Sequence, residues 1–215
     1  MKFRSPLLLL LGIFITSVAS ADEVTTPVVS VVNVQTSDPG AYRAYLIENP
    51  EIFEALGAES GGTCTTVSGH RYPGQAFAFS FYNDAGSAFK AATRFANMPR
   101  SAELDAISSV VSAEFYAVIK PFTLPPGFER RYQIVVNDAA AYVAAATKLE
   151  QAMQANGHKV EVGIFQPLGN GHQKANVLDV RIFAVEPEVA GMMVNDFLQR
   201  KAWALEPYGE MLATI

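Results

Sequence analysis

Between residues 77 and 82 the chain alternates, with Phe77, Phe79 and Phe81 set against Ala78, Ser80 and Tyr82. A period of two is that of a β-strand, and it puts three aromatic rings on one face. The other face carries smaller or more polar groups, so the pattern predicts one buried face and one partly wet. The preceding run, Thr63 to Arg71, is rich in Thr and Val and predicts the partner strand. Tyr72-Pro73-Gly74-Gln75 joins them as a turn, with proline presetting φ at its second position and glycine giving positive φ at its third.

The pattern returns about a hundred residues later. Val162, Ile164 and Gln166 alternate with Glu161, Gly163 and Phe165, and Gly169-Asn170-Gly171 makes a turn. Val177, Asp179 and Arg181 then alternate with Leu178, Val180 and Ile182, polar on one face and apolar on the other. Asp38 and Tyr42 recur as Asp138 and Tyr142, one hundred residues on, and Gly69-His70 recurs loosely as Gly171-His172. Matches in the same order argue for a tandem duplication.

The flanking elements follow from periodicity and caps. Val28 to Gln35 is a β-branched strand. Asp38 caps a helix with Pro39 at its first position and Tyr42, Tyr45 and Leu46 on one face. A short helix from Glu51 turns Ile52, Phe53 and Leu56 inward and ends at Gly57. Asp84 caps a helix whose apolar stripe is Phe89, Ala92, Phe95 and Ala96, broken by Pro99. Glu103 to Ser112 reads as a further helix, with Leu104, Ile107 and Val111 inward, and Phe115 to Phe122 as the fourth strand. Leu124-Pro125-Pro126-Gly127 is a short, stiff linker.

After it, Arg130 to Val136 is a strand. Asp138 caps an alanine-rich helix to about Asn156, with Tyr142, Ala145, Leu149 and Met153 on one side, and Gly157 stops it. Pro187 opens a helix with Val189, Met192, Met193 and Phe197 inward and Trp203 and Leu205 near its end. Glu210 to Ile215 is expected to close the unit as a strand.

Composition sharpens the picture. Lys2 and Arg4, the apolar run Leu7 to Ile15, and Ala19-Ser20-Ala21 form a signal peptide over residues 1–21. The expected location is therefore the periplasm or the outside of the cell, with no membrane contact after cleavage. Losing Lys2 and Arg4 takes the net charge from −5 to −7, which disfavours nucleic acid. Half the residues are apolar and 17% are charged, enough for a sizeable core. Cys64 is the only cysteine, so no internal disulfide forms, and it reads as a small half-buried strand residue.

Each half thus reads β-α-β-β-α-β, over residues 22–124 and 128–215. The fold class is α+β, two tandem ferredoxin-like units packed as an intrachain α+β barrel. In this respect the chain resembles the dimeric α+β-barrel superfamily, and within it the NIPSNAP-type, EthD-type and antibiotic-biosynthesis-monooxygenase-type domains. The local likeness lies in Leu56-Gly57-Ala58, the hairpin, and Phe79 through Asp84 to Phe89. The resemblance implies an apolar cleft between sheet and helices. It does not fix an activity, because such domains include cofactor-free oxygenases, haem-degrading enzymes and isomerases.

Candidate chemistry is sparse. His70, Arg71 and Tyr72 sit together at the end of the hairpin and are the catalytic candidates, able to polarise a carbonyl or phenolate; a solvated turn is the plainer reading. Phe77, Phe79, Phe81 and His172 are the ligand-binding candidates. His158 follows a helix end and reads as structural. The three histidines lack metal-ligand spacing, and no nucleotide or hydrolase motif is present, so neither metal nor cofactor is expected. The first expectation is an exported module binding a small apolar molecule without catalysis. The alternatives are a cofactor-independent oxygenase or isomerase acting on an aromatic or carbonyl compound, and a purely structural or interaction protein. A monomer with an internal pseudo-dimer is favoured, and outward edges leave a homodimer open.

Overall fold

A computed structural model describes residues 25–123, 127–169 and 176–215. The expected leader over residues 1–21, the prolines of the linker, the expected turn at Asn170-Gly171 and His172 lie outside the described residues. Among those described, the chain forms seven strands and seven helices. The first half gives β1 (Val28–Thr36), α1 (Pro39–Glu48), α2 (Glu51–Leu56), β2 (Ser60–Thr65), β3 (Gln75–Tyr82), α3 (Ala85–Asn97), α4 (Ala102–Ile107) and β4 (Ser108–Lys120). The second gives β5 (Phe128–Val135), α5 (Ala139–Ala155), β6 (Val160–Pro167), β7 (Val177–Ala184), α6 (Pro187–Leu198) and α7 (Ala202–Leu212).

All the strands join one antiparallel sheet in the order β2-β3-β1-β4-β6-β7-β5. The first four follow the ferredoxin-like order, and the last three repeat it without a fourth strand. β4 and β6 join the halves. Lys120 on β4 ties that seam to the helix layer, donating to Glu150 on α5 at 2.7 Å and to the Val162 carbonyl at 2.9 Å.

The helices cover one face of the sheet, here called outer. Asp38, Asp84 and Asp138 cap α1, α3 and α5 through their carboxylates, as their sequence positions predict. On α5 the row Tyr142, Ala145, Leu149 and Met153 is buried against β6 and β7. Each large member of that row contributes about 1.5–3 kcal/mol on burial. The inner face of the sheet closes on itself. Arg181 of β7 lies 5.4 Å from the ring centre of Phe77 on β3, and Arg71, in the loop before β3, donates to Gln133 of β5 at 2.8 Å.

Several sequence expectations change. The alternation in β3 is right, but its small face is the drier one. Ala76, Ser80 and Tyr82 are almost fully buried under helices, while Phe79 and Phe81 are half-buried on the inner face. A strand packed on both sides makes small residues where a helix comes close, not where water is. Next, residues 108–112 belong to β4 and not to a helix, leaving Val111 half-exposed. Their serine and valine content disfavours helix, and pairing with the end of β1 decides the outcome. The stripes on α3 and α6 also rotate: Ala88 and Ala91 are buried while Phe89 is 50% exposed, and Ala190 and Met193 are buried while Met192 is 54% exposed. Finally, 210–215 is no closing strand. Helix α7 runs to Leu212 and packs on α5, and the pattern of Trp203 and Leu205 belongs to it.

The hairpin strand is also shorter than expected. β2 ends at Thr65, and residues 66–74 form a loop in place of a tight turn, with Gly74 at the positive φ expected of it.

Candidate functional site

Among the described residues, one cavity lies between the sheet and the helices of each half. The larger, about 590 Å³, sits beneath α5, α6 and α7. β5, β6 and β7 form its floor through Tyr132, Ile134, Val162, Val180 and Ile182. The buried row of α5 supplies one wall, and Val194, Phe197 and Tyr208 supply the other. The smaller, about 310 Å³, lies beneath α1 to α4 between Tyr42, Phe53, Phe95 and Phe115. Pockets of this size and apolar character are where proteins hold small molecules.

The larger cavity is open because of what borders it. Leu198, Leu205, Tyr208, Leu212 and Ile215 all line it, and all are 40% exposed or more. Its polar lining consists of tyrosines and arginines. Tyr142 is buried in the wall, and burial, with Tyr208 beside it, pushes its hydroxyl up to about 12. It therefore remains a neutral phenol at any physiological pH. Arg130 lies with its guanidinium carbon 5.3 Å from the Tyr132 ring centre. No histidine, cysteine or carboxylate among the described residues lines either cavity.

The inner face has different chemistry. Asp179 accepts from Arg131 Nε at 2.8 Å and from Arg181 at 3.2 Å. Arg131 also donates to the Tyr116 hydroxyl at 3.3 Å, and that hydroxyl donates to Glu114 at 2.5 Å. Glu114 accepts from Ser112, which in turn accepts from Asn33. Glu129 faces Arg181 at 3.6 Å. Burial works against the Arg131 charge, and the Asp179 carboxylate more than offsets it, so the guanidinium is held above its ordinary range. Burial raises the Glu129 carboxyl despite the neighbouring Arg181. The polar alternation read in β7 is therefore a buried network and not a solvated face. Toward the other end of this face, Phe122 stacks on Phe183 with ring centres 3.9 Å apart. Gly163 makes room there, since a Cβ would meet the rings of Phe122, Phe165 and Phe183 at 2.9 Å.

The sequence candidates scatter over this frame. His70 is exposed in the 66–74 loop. Arg71 is exposed and held by Gln133. The Tyr72 hydroxyl is shielded from solvent without a hydrogen-bond partner, and its pKa is raised by burial and by the nearby Glu114. None of the three lines either cavity. Phe77, Phe79 and Phe81 share the inner face, as their spacing predicts, and pack with Cys64, Phe165 and Phe183. His158 is structural: its Nε2 lies 3.0 Å from Asp196 on α6, and its ring lies against Trp203. Sequence reasoning missed the cavity residues of α7 because it gave Leu205 to the end of the preceding helix and residues 210–215 to a strand.

No protein-family model matches the chain, and no curated protein matches it by sequence. Its fold, however, is that of known structures. A monooxygenase-like protein from Lactobacillus acidophilus NCFM superposes with a TM-score of 0.52 at 12% identity, covering 88% of this chain and 89% of that one. An anthrone oxidase-like protein gives 0.51 at 14%, covering 87% and 86%. A chlorite dismutase-like protein gives 0.51 at 11%, covering 80% and 85%. At such identities the likeness is one of architecture, the ferredoxin-like α+β barrel type.

Proposed function

We infer that this chain is a small-molecule-binding protein, holding an apolar, ring-sized molecule beneath α5, α6 and α7 without chemistry of its own. The observation that carries this is the 590 Å³ cavity, with an apolar wall, an apolar exposed mouth and no histidine, cysteine, lysine or carboxylate side chain among the described residues of its lining. The leader over residues 1–21 fits a role in the periplasm or outside the cell. We read residues 22–124 and 128–215 as two copies of one unit, the second having exchanged its last strand for α7. The shared aspartate caps and buried tyrosines of α1 and α5 support that reading.

Native mass spectrometry of the protein purified from its own compartment tests the function. A retained mass is expected, and it should vanish in Val194→Trp, which fills the cavity. A bare wild-type mass, with no small molecule released on denaturation, would leave a structural role in its place.

A catalytic reading rests on one observation, the shielded and unpartnered Tyr72 hydroxyl near Glu114. The oxygenase-type names of two of the fold relatives are compatible with it. It requires a substrate reaching the inner face at the 66–74 loop. Loss of turnover in Tyr72→Phe, with binding retained, would support it.

A further inference from the structure

Helices α5 and α6 end in the same hydrogen-bond pattern, with a different kind of residue at its pivot. After α5, Gly157 N–H bonds to the Gln154 carbonyl and His158 N–H to the Met153 carbonyl. After α6, Arg200 N–H bonds to the Phe197 carbonyl and Lys201 N–H to the Asp196 carbonyl. Both are Schellman ends, whose pivotal residue takes the left-handed conformation that favours glycine. Gly157 has φ +87° and Arg200 has φ +55°. Arg200 is the only non-glycine with positive φ among the described residues. An L-residue pays strain there, and strain kept where glycine would serve points to use of the side chain.

Arg200 lines the larger cavity. So does Arg130, which reaches it from the outer face of β5 and lies over Tyr132. Neither has an acidic partner among the described residues. The arginines of the inner face, half-buried Arg131 and buried Arg181, are by contrast each paired with carboxylates. In a chain of net charge −5, the charged side chains lining this cavity among the described residues are Arg130 and Arg200. Guanidinium groups free of internal partners, beside apolar surface, are suited to a carboxylate, sulfonate or phenolate.

We propose that the cavity takes an amphipathic anion, its rings or chain against the apolar wall and its acidic head held by Arg130 and Arg200. This rests on the binding function proposed above and adds the charge class of the ligand.

Two probes with the same aromatic body separate the two claims: 1-anilinonaphthalene-8-sulfonate, which carries a sulfonate, and N-phenyl-1-naphthylamine, which does not. Both are titrated by fluorescence against wild type, Arg130→Gln, Arg200→Gly and Val194→Trp. The arginine variants are expected to lose about tenfold or more in affinity for the sulfonate, the scale of a charge-assisted contact, and to bind the neutral probe as wild type does. Arg200→Gly keeps its helix end, so it should melt no lower than wild type, which separates head-group loss from misfolding. Val194→Trp should lose both probes. Unchanged sulfonate affinity in both arginine variants, or an equal loss of both probes, overturns the anion assignment while leaving the apolar cavity standing. Failure of wild type to bind either probe overturns the cavity itself.

Discussion

On the inner face of the sheet, Glu114, Tyr116, Glu129, Arg131, Asp179 and Arg181 are joined into one network, whereas on the outer face the 590 Å³ beneath α5 to α7 is lined by no carboxylate side chain among the described residues. Both faces belong to the same strands, and their residues alternate along β5 and β7. The difference comes from what each face meets. Across the inner face the partners are other strands, in fixed register: Arg131 lies opposite Arg181, and Gln133 opposite Asp179. That register puts Arg131 diagonal to Asp179 and Arg181 diagonal to Glu129, within side-chain reach. On the outer face the same register sets Arg130 opposite Ile182 and Tyr132 opposite Val180, and the helices above these strands supply apolar side chains. Buried charge marks the closed side, and the hollow lies on the other.

The sharpest way to break this contrast is to remove its hub. Asp179→Ala leaves Arg131 and Arg181 without their shared acceptor while both remain enclosed. Stranding buried charge in this way costs about 3–5 kcal/mol. Urea unfolding should show that loss, and Asp179→Asn, which keeps one acceptor oxygen, should lose less. A cost below about 1 kcal/mol would mean that water reaches the inner face and that the network is a surface feature.

Much of this frame was legible from local chemistry. The aspartate caps, the α5 row and the three phenylalanines of β3 are each fixed by neighbours within a few residues, and the structure keeps them. What was not legible depends on distant partners. Asp179 and Arg181 are only the polar side of an alternating strand in sequence, because nothing local announces Phe77 across the inner face or Arg131 on the neighbouring strand. Residues 108–112 fit a helix by spacing until β1 claims them. The last residues fit a strand by analogy with the first half, and only the docking of α7 against α5 shows the helix that borders the cavity. The arginines at that cavity carry no motif. Arg200 is conspicuous only once its φ is known.

A smaller effect sharpens the same comparison through pH. Burial holds the Glu129 carboxyl above its ordinary 4.5 in the folded chain. Within the window from that ordinary value up to the raised one, the folded state binds more protons than the unfolded state. Stability therefore falls as pH rises through the window. Asp84 and Asp196 work the other way and lower down. Hydrogen bonds from Ser87 and Lys201 depress them, and their contribution is lost only as pH falls below the ordinary aspartate range. Glu129→Gln should flatten the fall in the upper window and leave the acid limb unchanged. Urea midpoints at a series of pH values read both. A variant with the wild-type slope in the upper window would remove Glu129 from the buried network.

The least effect on stability, and the most direct report on how dry the inner face is, comes from Cys64. The residue is half-buried between Phe77 and its neighbours, and burial, reinforced by Glu129 and only partly countered by Arg181, pushes its thiol up to about 12. At pH 8 about one molecule in ten thousand then carries the thiolate, against about one in four for a free cysteine. Labelling of the native chain by a disulfide reagent should accordingly be about a thousandfold or more slower than labelling of the unfolded chain, and it should accelerate only where denaturant opens the sheet. Glu129→Gln removes one of the charges that disfavour the thiolate, so it should speed native labelling modestly, whereas Arg130→Gln, on the opposite face of the same strand, should not. Native labelling within a few-fold of the unfolded rate would show water at Cys64, and the distinction between a closed, charged face and an open, apolar one would fail at its least charged point.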